Sequence, residues 1–115
     1  MNRERQQQFA TLLKSVRSIL PVPTIEFTSD TMLQRFHHAS FGLMDYLIKI
    51  LDRAVWLVQS DRAEGIDQNL LATAFRDEVW AGGPLERNPF FEKFDFRPLI
   101  GLHEPFENFE NFEKL

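Results

Sequence analysis

Residues 41–75 read FGLMDYLIKILDRAVWLVQSDRAEGIDQNLLATAF, and this stretch decides the fold. Its first part repeats apolar side chains at roughly 3.6-residue spacing, the pattern of an α-helix with one buried stripe. The stripe consists of Leu43, Leu47, Ile50, Leu51, Ala54, Leu57 and Val58. Met44, Ile48 and Val55 widen it, so we expect this helix to be covered on more than one side, with Trp56 packed in the core.

A second helix is predicted to follow a polar turn, and its first residues can be assigned from local chemistry. Asp67 is the expected N-cap, because its carboxylate can accept hydrogen bonds from the unpaired amides of the first turn. Ile66 and Leu71 flank this cap at the positions of a hydrophobic staple. The stretch therefore predicts two helices joined by a turn.

Two more helices are predicted upstream. The first covers about residues 3–19 and is ended by Pro21 and Pro23, since proline removes an amide donor and disfavours helix in the residue before it. After an extended connector, Ser29 is the expected N-cap of a short helix that ends near residue 39. The expected fold is all-α, with a small four-helix bundle over residues 1–83.

The order and spacing of these elements resemble the helical lid that ends the AAA+ module of transposition ATPases of the TnsC/TniB family. The resemblance covers about residues 9–90. It rests on FATLLKSVRSILPVP at residues 9–23, GLMDYL at 42–47, IDQNLLATA at 66–74 and NPF at 88–90. It implies the C-terminal lid of an ATP-dependent regulator that forms homo-oligomers on target DNA and links a target-selector protein to the transposase.

The resemblance also implies candidate nucleotide contacts. Such lids often carry an arginine near the start of the helix after the G-x-x motif, where it reaches a bound phosphate. Asp45 occupies that position here, so Lys49 and Arg53, one and two turns later, are the candidate cofactor-binding residues. The alternative is that Asp45 and Lys49 form an i,i+4 ion pair on a solvated face.

ATP and magnesium are expected only in a full-length protein. The chain contains no phosphate-binding loop G-x-x-x-x-G-K-[ST], and its serines lack the glycine elbow of a nucleophile. We therefore expect no catalytic residue and no ATPase activity in this chain alone. His37 and His38 are adjacent and would point about 100° apart on a helix, so no metal site is expected.

Residues 84–115 are expected to form an irregular, aromatic and acidic extension. They follow Gly82 and Gly83 and contain seven of the twelve phenylalanines. Their expected partner-binding residues are Asn88, Phe90, Phe106, Phe109 and Phe112. The alternative for the NPF motif is a structural turn that pins Phe90 on the bundle. In the terminal FEN-FEN-FE repeat, we expect Phe106, Phe109 and Phe112 to stay off the bundle.

Composition limits the remaining possibilities. The chain has 115 residues, no cysteine and a net charge of −4. The absence of cysteine excludes disulfides, and with no apolar run as long as a membrane span we expect a cytoplasmic protein that does not enter a membrane. Residues 1–62 carry a net charge of +2 and residues 63–115 a net charge of −6. Any DNA contact of this chain would therefore have to come from its N-terminal half, and the resemblance implies that DNA binds only through the missing ATPase subdomain.

Two alternatives remain open. The chain could be a free-standing helical interaction module whose acidic, phenylalanine-rich tail docks in a partner's groove. It could also be a helix-turn-helix DNA binder with residues 67–80 as the recognition helix. That helix offers only Arg76 as a cation, against Asp67, Asp77 and Glu78.

Overall fold

The computed structural model describes residues 2–107, apart from the side chains of residues 61 and 62. It contains α1 (Arg3–Ile19), α2 (Asp30–Ser40), α3 (Met44–Leu57) and α4 (Gln68–Glu78). A π-helical turn, Val58–Arg62, prolongs α3, and a 3₁₀ turn covers Leu85–Arg87. The predicted all-α fold is confirmed. None of the helices in residues 2–107 combines the length and the apolar character needed to cross a membrane.

Side-chain caps fix where three of the helices begin. The side-chain oxygens of Asn2, Ser29 and Asp67 accept hydrogen bonds from the third amide that follows each of them. The bond from the Leu70 amide to Asp67 is 2.8 Å long. Both predicted caps, Ser29 and Asp67, are confirmed. The cap acceptors satisfy amides that would otherwise lack a partner inside the helix.

α3 is the central element of the core, and it packs against α2 and α4. The inner part of its predicted stripe is buried, with Leu47, Ile50, Leu51, Ala54 and Leu57 at most 3 % exposed. Of the three residues expected to widen this stripe, Val55 is half-buried against the core, whereas Met44 is 46 % and Ile48 39 % exposed. Trp56, expected in the core, is 47 % exposed.

The connector between α1 and α2 is held against the turn that precedes α4. The Ile25 amide donates to the Ile66 carbonyl at 3.0 Å, and the Ile66 amide donates to the Pro23 carbonyl at 2.8 Å. Gly65 permits this approach, because a Cβ atom there would lie 2.8 Å from the Pro23 carbonyl oxygen. This pairing positions Phe27, which is fully buried.

The segment after α4 belongs to the same hydrophobic core as the helices. Phe90, Phe94, Leu99 and Phe106 are buried together with the inner residues of α2, α3 and α4. The helices before Gly83 and the largely irregular segment after it therefore share one hydrophobic core. The expectation that Phe106 stays off the bundle is wrong, since its side chain is fully buried.

Replacing Leu51 by alanine should lower the free energy of unfolding by about 2–5 kcal/mol, because the substitution leaves a cavity between α3 and its neighbours. Ile48→Ala is the matched control on the exposed side of the same helix, and it should change stability by about 0.5 kcal/mol or less. Urea titration followed by circular dichroism measures both. Equal losses from the two variants would contradict the assigned orientation of α3.

Candidate partner-contact surface and the C-terminal segment

Arg35, near the middle of α2, holds the first turn of the C-terminal segment. Its guanidinium donates to the carbonyls of Pro89, Phe91 and Glu92. The side chain is 5 % exposed, and its Nε has no hydrogen-bond partner in the part of the chain that the structure describes. Buried carbonyls need such donors when no regular secondary structure supplies them. Arg35 therefore lets an irregular turn lie against α2.

Arg87 holds the second half of the segment. It forms a two-point ion pair with Glu104, with nitrogen–oxygen distances of 2.8 and 3.1 Å, and a further ion pair of 3.0 Å with Asp95. It also donates to the carbonyls of Arg97 and Pro98. The hydrogen bonds from Arg87 hold the pKa of Glu104 below its usual value, against the opposing effect of burial. Arg87 thus closes residues 95–104 into a loop.

Asn88 acts as a structural turn residue. Its side-chain oxygen accepts from the Phe90 amide at 2.9 Å, and its side-chain nitrogen donates to the Ala72 carbonyl on α4 at 2.8 Å. Phe90 is fully buried and contacts the ring of Phe36 at a centroid distance of 5.1 Å. Of the two interpretations of the NPF motif, the geometry favours the turn that pins Phe90. Neither residue presents its side chain on the described surface.

Phe106 lies against the start of α3. Its ring stacks on Phe41 at 5.4 Å and meets Tyr46 edge-on at 5.1 Å. The backbone amide of Phe106 donates to the Leu99 carbonyl. Phe109 and Phe112, the other two expected partner-binding phenylalanines, lie outside the described residues.

The two candidate nucleotide contacts lie on the exposed side of α3 but differ in their surroundings. Arg53 bonds Asp77 of α4 at 3.1 Å and lies over the Trp56 ring at 4.5 Å from its centroid. Lys49 lies over the Tyr46 ring at 5.4 Å. Among residues 2–107, Lys49 forms no ion pair, so the expected bridge to Asp45 is not present. Lys49 is thus the better placed of the two to meet an external anion.

These residues define one surface, which we call the outward face of α3: Met44, Ile48, Lys49, Arg53 and Trp56. Exposed apolar side chains of this size are unremarkable when scattered singly, whereas a contiguous set indicates a contact site. Met44, Ile48 and Trp56 recur at four- and eight-residue spacing, which places them on one side of the helix. In the sequence analysis, Met44 and Ile48 are expected to widen the buried stripe, whereas the structure leaves both exposed.

Other basic side chains offer little to DNA. Arg17, one of the cations of the slightly basic N-terminal half, donates to the carbonyls of Thr24 and Ile25 and so stabilises the connector. Arg76, the single cation of the helix proposed as a DNA reader, contacts Asp77 at 3.5 Å. The described geometry thus adds no support to a helix-turn-helix DNA binder.

His37 and His38 line a cleft of about 320 Å³ between α1, α2 and the C-terminal segment. Its walls are completed by Gln6, Gln34, Phe41, Pro98, Leu99 and Ile100. The His38 ring packs edge-on against Phe94 and Phe96. Burial, with smaller contributions from His37 and Arg87, lowers the pKa of His38 to about 4. In the described part of the chain, no group of three metal-ligating side chains comes together.

Comparisons of the chain with protein-family models, with curated proteins and with solved structures gave no match.

Phe106→Ala should lower the free energy of unfolding by about 3–5 kcal/mol, because it empties the site between Phe41 and Tyr46. Leu102→Ala is the control in the same loop, at a side chain that is 80 % exposed. Chemical denaturation of the two variants provides the measurement. If both retained the stability of the parent chain, the docking of Phe106 would be contradicted.

Stability should fall as the pH drops from 6.5 to about 4, because over this range the unfolded chain protonates His38 before the folded chain does. After allowance for the solvent contact that His38 retains, the expected loss is about 2 kcal/mol. His38→Gln should flatten the upper part of this profile, between about pH 6.5 and 5.5, where unfolded carboxylates are still largely ionised. His103→Asn, in an exposed loop, is the control and should leave it unchanged. Urea unfolding midpoints of the parent chain and of both variants, measured across this pH range, test the prediction.

Proposed function

We propose that this chain is the C-terminal lid and contact domain of an ATP-dependent transposition regulator, which links target-DNA selection to the transposase. The observation that carries the proposal is the outward face of α3. In the TnsC/TniB family that the sequence resembles, this helix follows the G-x-x motif, and the lid packs on a neighbouring subunit and closes over nucleotide. An apolar face whose lysine has no ion-pair partner in the described part of the chain suits both packing on a subunit and approach to a phosphate.

The helical arrangement supports the same proposal. α3 and the capped helix α4 form the helical pair that carries the resemblance, and α1 and α2 precede it in the expected order. Lids of this kind present one face to the ATPase subdomain while the rest of the bundle holds itself together. Here the inner stripe of α3 is fully used in the core, so only its outward face remains for contacts.

The role of nucleotide follows from the charges on that face. Lys49 is the residue we propose to approach a phosphate group bound to the ATPase subdomain, with magnesium held by that subdomain. Arg53 has a different proposed role, because its guanidinium is already shared between Asp77 and Glu78 of α4. It fixes the angle between α3 and α4 and supports the Trp56 ring. Transposase and target-selector proteins are the proposed partners of the assembled regulator.

A free-standing helical interaction module is the second candidate, and one observation favours it. The C-terminal segment completes the core of the bundle, so residues 2–107 form a unit with a single hydrophobic core. Such a unit needs no other subdomain to bury its apolar residues. In this candidate, the outward face of α3 binds a partner protein directly and nucleotide has no role.

The test uses the protein encoded by the whole reading frame to which this chain belongs. We expect it to assemble on duplex DNA in the presence of ATP and magnesium, as measured by sedimentation or electron microscopy. Ile48→Glu should weaken this assembly at least about tenfold, since it places a charge in an apolar contact. Ile19→Glu is the matched control, because Ile19 is exposed on the end of α1 and outside this face.

The isolated 115-residue chain provides the second arm of this test. Calorimetry should detect no micromolar binding of ATP, because the chain lacks a phosphate-binding loop. Tight binding of ATP by this chain would contradict the lid proposal. Assembly that is independent of ATP, yet abolished by Ile48→Glu, would instead support the interaction module.

A further inference from the structure

The cleft between α1, α2 and the C-terminal segment has the size of a small-molecule site. Its volume of about 320 Å³ lies at the lower end of the range of ligand pockets, about 300–1,000 Å³. The proposed function does not use this cleft. Ligand pockets combine apolar walls with a few polar groups that converge on the same space, so the lining determines which ligand fits.

The apolar wall of the cleft is held in place by contacts within the chain. The Pro98 carbonyl accepts from Arg87 at 3.1 Å. The Leu99 carbonyl accepts from the Phe106 amide at 2.9 Å. Phe41, which also lines the cleft, has a φ of 54°, in the left-handed region that bulky residues rarely adopt, and its ring is stacked on Phe106. The site is therefore pre-formed, which reduces the entropy lost when a ligand binds.

The polar groups of the cleft include two amides that can bond a ligand. Gln6 on α1 and Gln34 on α2 line the cleft, and within the described residues 2–107 neither side-chain amide forms a hydrogen bond. Gln68 of α4, in contrast, donates to the Phe90 carbonyl. A side-chain amide offers both N–H donors and a carbonyl acceptor, so it pairs best with a group that also donates and accepts.

The electrostatics of the cleft favour an uncharged ligand. Its lining contains no carboxylate, lysine or arginine. Burial lowers the pKa of His38 to about 4, so this ring is neutral at neutral pH and cannot compensate a bound anion. Arg87 and Asp95, which act on His38 in opposite directions, form an ion pair with each other at 3.0 Å. A charged ligand would lose its hydration in the cleft without gaining a counter-charge.

We propose that this cleft binds a small uncharged aromatic amide, whose ring packs on the wall that includes Phe41 and Ile100 and whose amide group bonds Gln6 and Gln34. An aromatic body is favoured because the rings of Phe41 and His38 line the cleft, and contacts between rings add to the gain from apolar burial. The inference does not rest on the proposed function, since none of these residues belongs to the outward face of α3.

Benzamide and benzoate are a matched pair of probes, because they share a ring and differ in charge. In NMR titrations of the isotope-labelled 115-residue chain at neutral pH, benzamide should shift the backbone amide signals of Leu99 and Ile100 and the side-chain amide signals of Gln6 and Gln34. Benzoate should bind at least about tenfold more weakly. The proposal is overturned if these signals do not move at about 10 mM benzamide, or if benzoate binds equally well.

A pair of substitutions tests the assigned hydrogen bonds. Gln6→Leu combined with Gln34→Leu keeps the size of both side chains but removes their polar groups, and it should weaken benzamide binding at least about tenfold. Neither position lies in the core and leucine is a good helix former, so the helices should persist, as circular dichroism can verify.

Gln7→Leu combined with Gln8→Leu is the matched control, because both residues are exposed on α1 outside the cleft. This control should bind benzamide as the parent chain does. If the Gln6 and Gln34 variant kept its helical spectrum and the affinity of the parent chain, the two glutamines would not form the site and the proposal would be wrong.

Discussion

The rest of the structure depends on the hydrogen bonds that two buried arginines, Arg35 and Arg87, donate to backbone carbonyls. A segment without helix or strand carries carbonyl groups that must find donors when it is buried. Arg35 supplies donors to the carbonyls of residues 89, 91 and 92, and Arg87 to those of residues 97 and 98. A guanidinium has five N–H groups in one plane, so a single side chain can satisfy several carbonyls at once. These two residues, together with Gln68, which donates to the Phe90 carbonyl, let the C-terminal segment bury its aromatic rings.

The ion pair of Arg87 with Glu104 extends this constraint to the far end of the segment. The Glu104 carboxylate also accepts from the Gly101 amide, so one acidic group closes a turn and neutralises a buried cation. Removing one partner of such a pair leaves a buried charge without compensation. The resulting loss of stability is much larger than the net stability that the intact pair contributes. The position of Phe106 at the start of α3 therefore depends in part on Arg87, which lies well before it in the chain.

The helices could be predicted from sequence because their signals are local. Apolar spacing, the prolines after α1 and the side chains of Ser29 and Asp67 act within a few residues of each helix end. The positions of Asn88 and Phe106 could not be predicted in this way, because Asn88 bonds Ala72 and Phe106 meets Tyr46 far along the chain. Arg35 was missed altogether, since an arginine on a short helix looks like a surface residue until its partners are known.

Trp56 is exposed at the surface, whereas three aromatic residues of the C-terminal segment are buried in the core. The C-terminal segment contributes Phe90, Phe94 and Phe106 to the core, and these rings occupy the space around α2 and the start of α3. Trp56 lies on the opposite side of α3 from the core stripe, where Arg53 and Asp77 hold its surroundings in place. A large ring kept in a fixed position at the surface loses little conformational entropy on binding, which is why tryptophan is common at contact sites. Asn88, Phe90 and Phe106, which were expected to bind partners, are thus buried, whereas Met44 and Ile48, which were expected to be covered, are exposed.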